Sequence, residues 1–425
     1  MRKRVLLLSA VIALCAFFFA CRPFQKQVVT LELGVFAGSN WDVANGNSYH
    51  TIELAVSQFE NDHPGVKVHY YSGIRRQDYS EWLAGQILSG HTPDVFLVPD
   101  GQFNILVSQG VLKNLEQFLQ KEKQIKSWEY FAPAWNAGSS KGNQYALPYQ
   151  TDCMLMAVNC TLLKRHNLQM PERDWTWDDF FSLCRGLGPD VAGTCNYTWQ
   201  EAVYANGIKL FDDNGTQSNF SDFRTVEAVQ FMQRLTVLTE GRSFTSADFD
   251  AGRVACMPMS FARFCTYVSY PYKVYKDVNF EWGCLPMPAG YSGNNISEVK
   301  TLLAGMNTHS KHPYLSFELL KTLTHDTAVQ TDVYSMGQGA SPLRIIAASG
   351  ASRNVIDAYT RGGREYNLGL LADILDKGMS VPRFSKYGEA MGVADSSISR
   401  IITEKKDADI SLKLLQRTIQ EQLAK

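Results

Sequence analysis

Between residues 29 and 109, runs with strand periodicity take turns with helical ones, and that order leaves few folds open. Val29, Leu31, Leu33 and Val35 recur every second residue, which predicts a strand over Val29–Val35. Ile52, Val56 and Phe59 mark an amphipathic helix that the Asn61–Gly65 break, with its Pro64, should close. Val66–Tyr71 reads as a second strand, Asp78–Leu88 as a helix, Asp94–Val98 behind Pro93 as a third strand, and Gln102–Gln109 as a helix. Such alternation builds βαβ units and predicts a largely parallel sheet covered on both faces. Ligands settle outside the carboxyl ends of the strands in sheets of this kind. The loops 37–49 and 99–101 fall there, so Trp41 and Asp100 are the first residues expected near a ligand.

A chain of 425 residues is long enough for two domains. The text changes at Tyr145-Ala-Leu-Pro-Tyr149-Gln150-Thr-Asp152, where Pro148 fixes the backbone ahead of an apolar strand, Met154–Asn159. This reads as a crossing between domains. Further on, Thr176 and Asp179 have the spacing of a capping box, and Trp175 and Trp177 beside them are read as structural. Asp212-Asp213-Asn214-Gly215 resembles a calcium loop but lacks the required Glu, so a tight turn is expected. Thr301–Met306 reads as a strand, Tyr314–Thr324 as a helix, and a Gly-rich turn at 337–344 precedes helical segments to the end.

The first 21 residues read as an address. Arg2, Lys3 and Arg4 precede an uncharged run from Val5 to Ala20, followed at once by Cys21. Cations, apolar run and small residue make an export signal, and the cysteine after the cleavage point predicts lipidation of Cys21. The run of 16 residues is shorter than the roughly 20 that span a bilayer. Removing the three cations takes the formal charge from −1 to about −4, which excludes a nucleic-acid partner held by charge. Seven cysteines follow Cys21, with no CxxC pair and no zinc-ligand spacing. Most are expected to be small buried apolar residues, and one or two unassigned disulfides stay open.

Nine short motifs, in order, carry a resemblance over nearly the whole mature chain. They include the Trp41 loop, His63-Pro-Gly-Val66-Lys-Val68, Leu88-Ser-Gly-His-Thr-Pro-Asp94-Val95 and Gly110-Val-Leu-Lys-Asn-Leu115. Tyr145-Ala-Leu-Pro-Tyr149, Asn159 with Leu162-Leu-Lys164, and Trp175-Thr-Trp177-Asp-Asp-Phe180 come next. Leu285-Pro-Met-Pro288 and Gly339-Ala-Ser-Pro342-Leu-Arg344 close the series. The chain thus resembles the family 1 extracellular solute-binding proteins, the sugar-binding lipoproteins of ABC importers related to maltose-binding protein.

The resemblance implies an α/β fold of the type II periplasmic-binding-protein kind, two lobes joined by hinge segments around a ligand cleft. Lobe 1 would hold 28–150 and 301–340, and lobe 2 would hold 151–300 and 341–425, behind the leader 1–21. It also implies a saccharide ligand, permease subunits as partners, a lipid anchor, a monomeric state, no cofactor, no metal and no catalysis. Carried over on the matching positions, the ligand-binding candidates are Trp41, Asp100, Tyr149, Gln150, Asp152, Asn196, Tyr197, Trp199, Phe261, Arg263 and Arg344. Trp199 and Phe261 would be stacking platforms facing Trp41, with Asp100 and Asp152 accepting hydroxyl hydrogens and Arg263 donating.

Sugar chemistry explains the residue types. C–H faces stack on rings, and hydroxyls need planar partners such as Asp, Asn, Gln and Arg. Phe261 stands where some relatives carry Trp, which leaves the saccharide's size open. The chief rival is an exported sugar-active enzyme, which would need two carboxylates about 5–9.5 Å apart. No HExxH, GxSxG or P-loop appears. A second rival keeps the fold with a non-sugar solute such as a glycerol phosphodiester. Arg263 and Arg344 are isolated cations rather than a phosphate-binding cluster.

Overall fold

The computed structural model describes residues 28–41, 43, 48–99, 101–187, 190–239, 242–268, 280–336, 339–350, 369–384 and 386–424. The leader with Cys21, and Asp100, lie outside the described residues.

The first three strands form where the periodicity places them: β1 (Val29–Gly34), β2 (Val66–Tyr70) and β3 (Val95–Val98). A small hairpin, β4 (Ser139–Ser140) and β5 (Asn143–Gln144), leads into the 14-residue β6 (Ala146–Asn159). Then come β7 (Ala192–Thr194), β8 (Val254–Ser260), β9 (Trp282–Leu285), β10 (Glu298–Met306) and β11 (Met379–Ser380). The main sheet runs β2-β1-β3-β10-β6-β8-β7, with β11 beside β10 and β9 beside β6.

Parallel pairing holds for β1 with β2 and β3, as the βαβ spacing requires, but β10 enters antiparallel between β3 and β6. The sheet is therefore mixed rather than largely parallel. The strand responsible comes from some 200 residues downstream of β3, beyond the reach of local periodicity.

The segment read as a crossing lies in β6, which changes partners at its middle. Its first half, to Cys153, pairs with β10, and from Met154 it pairs with β8 and β9. Pro148 sits within this strand. The register jumps there, with Pro148 opposite Leu303 but Gln150 opposite Leu302, so Tyr149 is the extra residue of a bulge. Bulges are among the few sheet positions that tolerate proline. The Tyr149 carbonyl accepts from Gln330 Nε2 at 3.1 Å.

Two apolar cores flank the crossing. One gathers residues from Leu31 to Tyr149 with Leu302 to Ile346; the other gathers Met156 to Leu285 with Phe384 to Ile419. A third, around Phe131, Leu155, Phe261, Tyr334 and Leu375, fills the join. In the second core, Trp177 stacks on Phe231 with centroids 4.5 Å apart, and Trp175 Nε1 donates to the Pro286 carbonyl at 2.9 Å. Both are structural, as expected. Thr176 and Asp179 form the capping box that opens the helix Trp177–Arg185. Asp212 Oδ1 accepts from the Thr216 and Gln217 amides, which makes this segment a turn. Gly215 closes it at φ 67°, where a Cβ would strike the Phe384 ring.

All seven described cysteines are free thiols, six of them buried and Cys160 half-buried. Among the described residues, no helix is long and apolar enough to cross a membrane, and no cluster of His, Cys, Asp or Glu is placed to hold a metal ion.

Candidate functional site

A cleft of about 790 Å³ opens where the two cores meet, with walls drawn from both. Asn40, Trp41, Arg76 and Ala137 come from the first side, and Thr198, Gln200, Glu201 and Tyr204 from the second. Asp152 to Met154 of β6 and Glu298 to Thr301 of β10 form its floor, and Phe384 and Tyr387 complete it. A smaller cavity of about 210 Å³, beside Arg185, Leu235 and Arg242, draws on the second core and the third cluster. The larger cleft has the size and the mixed apolar and polar wall of a small-molecule site.

Asp152 anchors it. Its side chain is 4% exposed, and Oδ1 accepts from the amides of Cys153 (2.9 Å) and Ala262 (3.1 Å). The second bond caps the helix Phe261–Val268, where the helix dipole favours a negative charge. Burial outweighs these bonds and pushes the carboxyl up to about 6.

Glu201 closes a second capping box. Its Oε2 accepts from the Thr198 amide (2.5 Å) and hydroxyl (2.6 Å) at the start of the helix Trp199–Ala205. Burial, and then the nearby charge of Glu298, raise it to about 7. Glu298 is itself shifted upward by burial against the opposing pull of Lys300, whose Nζ lies 3.5 Å away. Tyr204 and Tyr387 have their hydroxyls close to one another and to Glu298. Arg383 donates to the Thr301 carbonyl, and Arg76 Nε donates to Asn40 Oδ1 at 3.3 Å. Asn40 Nδ2, Gln200 Oε1 and Thr301 Oγ1 are among the polar atoms of the wall that are buried with no hydrogen-bond partner in the protein. Leaving such a group unmatched costs about 1–3 kcal/mol, so the wall is shaped to receive polar ligand atoms.

Of the residues expected at the site, the cleft brings together Trp41 and Asp152. The other described candidates stand elsewhere, and Asp100 lies outside the described residues. Tyr149 and Gln150 are buried in β6, and Asn196 is exposed with φ 56° outside the cleft wall. Tyr197 is core, its hydroxyl accepting from Trp177 Nε1 at 3.3 Å. Trp199 is 3% exposed, with its indole nitrogen donating to Asp395. Phe261 is wholly buried against Phe264 and Tyr334, so neither aromatic offers a free face as a platform. Arg263 is half-buried beside Cys195, off the wall. Arg344 donates from Nε to the Tyr130 carbonyl (3.1 Å), pairs with Asp376 (2.5 Å) and lies over the Phe131 ring, tying segments together.

The sequence reading does not reach Glu201, Tyr204, Glu298, Lys300, Phe384 or Tyr387. One signal was available: Thr198 and Glu201 repeat the capping-box spacing of Thr176 and Asp179. It marks a helix start, however, and not a cleft.

Comparison with known proteins agrees with the architecture. The family model for bacterial extracellular solute-binding proteins matches residues 44–330. The fold is similar to that of the sugar-binding protein MalE of Xanthomonas citri, at 16% identity and a TM-score of 0.77, covering 93% of this chain and 98% of that one. It is similar to a cyclic alpha-maltosyl-1,6-maltose binding protein of Arthrobacter globiformis, at 13% identity, TM-score 0.75, and 93% and 99% coverage. A sugar transporter component of Rhizobium etli in an open conformation matches at 18% identity, TM-score 0.72, and 92% and 99% coverage. These similarities concern the fold.

Proposed function

Since this chain belongs to the family of bacterial extracellular solute-binding proteins, we propose that it captures a mono- or oligosaccharide between its lobes and passes it, unaltered, to an ABC permease. The observation that carries this reading is the interlobe cleft, whose lining includes Trp41, Tyr204, Phe384 and Tyr387 together with Asp152, Glu201 and Glu298. Rings cover the apolar faces of a pyranose, and carboxylates accept from its hydroxyls. Solved proteins of the same fold bind maltose-type oligosaccharides by name, which points the same way.

In this reading, residues 28–150 with 301–340 and residues 151–300 with 341–425 act as the two lobes. β6 and the segment leading into β10 bend between them. Ligand contacts both lobes only when they close, so it shifts the open–closed equilibrium by its differential affinity. The permease reads the closed form. The chain works as a monomer, held at the membrane by lipid on Cys21, which raises its local concentration at the permease.

Titration of the purified mature chain with mono- and oligosaccharides, followed by thermal shift and calorimetry, tests this. Saturable stabilisation with the sugar recovered intact is the expected outcome. Release of shortened or altered sugar would instead identify a sugar-active enzyme, and absence of any response across the panel would refute a saccharide ligand.

A further inference from the structure

The corner of the cleft formed by Glu201, Glu298, Tyr204 and Tyr387 differs from the rest of its wall. We propose that it receives an ammonium group, so that the ligand is an amine-bearing saccharide. This rests on the saccharide reading above and narrows it.

The argument is a census of donors and acceptors. Glu201 reaches the corner from the helix Trp199–Ala205 and Glu298 from the start of β10, and both line the same cavity. Two further polar atoms on that wall that can accept a hydrogen bond have no partner in the protein. Thr301 Oγ1, on a residue 2% exposed, has no partner, and neither has Gln200 Oε1 next to Glu201. The cations nearby are already engaged with protein acceptors: Lys300 with Glu298, Arg383 with the Thr301 carbonyl, Arg76 with Asn40 Oδ1. Lys300 pairs with Glu298, whereas Glu201 has no cation within ion-pair distance among the described residues. An ammonium group brings three donors, no acceptor and one positive charge. A hydroxyl brings a donor and an acceptor, and no charge.

The rings fit as well. Tyr204 and Tyr387 stand beside Glu298, and ring faces attract cations. Burial holds Glu201 and Glu298 above the usual carboxylate range, with the charge of Glu298 adding to the shift of Glu201, a cost that a bound cation reduces. On the far side of the cleft, Asn40 Nδ2 is a buried donor without partner, suited to a hydroxyl or ring oxygen of the same ligand.

The test compares glucosamine oligomers with N-acetylglucosamine oligomers of the same length, and with neutral gluco-oligosaccharides, by calorimetry on the full mature chain. Aminated oligomers should bind at least tenfold more tightly than acetylated ones. Glu298→Gln and Glu201→Gln should each erase most of that preference while far-UV circular dichroism stays unchanged. Should either variant fail to fold, the wild type still decides through the comparison of aminated with acetylated oligomers. Equal affinity for aminated and acetylated oligomers, or a preference untouched by both substitutions, overturns the proposal. Binding of neutral oligosaccharides without amine preference would leave the saccharide reading standing and remove this one. No binding by any sugar would remove both.

Discussion

Trp199 Nε1 donates to Asp395 Oδ1 across 2.9 Å, which pins the helix Trp199–Ala205 to the helix Tyr387–Thr403. Gln200 Nε2 reinforces the joint with a 3.1 Å bond to the same oxygen. Glu201 and Tyr204 project into the cleft from the first helix and Tyr387 from the second, so this contact sets the spacing of one cleft wall. Asp395→Ala should orphan the buried indole N–H and cost about 1–3 kcal/mol. Trp199→Ala should cost about 3–5 kcal/mol by opening a cavity. Thermal unfolding followed by circular dichroism checks both, and an unchanged melting temperature in Trp199→Ala would show that the ring is not core.

That helix also explains what could be read from the chain beforehand. β1 was legible because its apolar residues carry a period of two, β3 because a short apolar run follows Pro93, and the capping boxes because their chemistry is local. The choice between core and cleft for Trp199 was not. Trp199, Ala202 and Val203 face the core while Gln200, Glu201 and Tyr204 line the cleft, and seven residues are too few to display a face. Phe261 fails for a related reason: its strand-to-helix position was right, but Asp152 occupies the helix start and the ring turns inward. The antiparallel entry of β10 and the cleft residues at 380–391 depend on contacts between segments far apart in sequence, which no local pattern encodes.

Trp41 is the expected aromatic that does line the cleft, and Gly339 seats it. Gly339 has φ +96°, and a Cβ there would stand 2.5 Å from Trp41 Nε1 and 2.8 Å from the Thr151 carbonyl. Gly339→Ala should therefore destabilise by about 1 kcal/mol or more from backbone strain alone. It should also weaken ligand binding by displacing the ring. Trp41→Ala should abolish ligand-induced fluorescence change with little loss of stability, since the ring is half-buried. Full affinity in Trp41→Ala would take the residue out of the site.

The free cysteines give a chemical check on the fold. Cys153, Cys184, Cys195, Cys256, Cys265 and Cys284 are buried, and burial raises each thiol above its ordinary range, suppressing the reactive thiolate. Cys160 is half-buried and shifted the same way. A maleimide added to the native protein should label at most Cys160 quickly, with the other six reacting only after denaturation. Rapid native labelling of Cys153 or Cys265, detected by peptide mass spectrometry, would contradict the packing of the join between the lobes.

The cleft carboxylates link stability to pH with a definite sign. Asp152 rises to about 6 and Glu201 to about 7 in the folded protein, both through burial, above their values in the unfolded chain. Through that window the folded state holds more protons than the unfolded state, so stability falls as pH rises from about 4 to about 7, and flattens above. His50, raised by its hydrogen bond to Asp332, adds a loss of the same sign somewhat higher. Melting temperatures across this range should show the decline, and Asp152→Asn with Glu201→Gln should flatten most of it. A ligand that donates to these carboxylates favours their ionised forms. Its stabilising effect should therefore grow with pH over the same window, and a ligand-induced shift that is constant from about pH 4 to about pH 7 would mean that the ligand does not touch them.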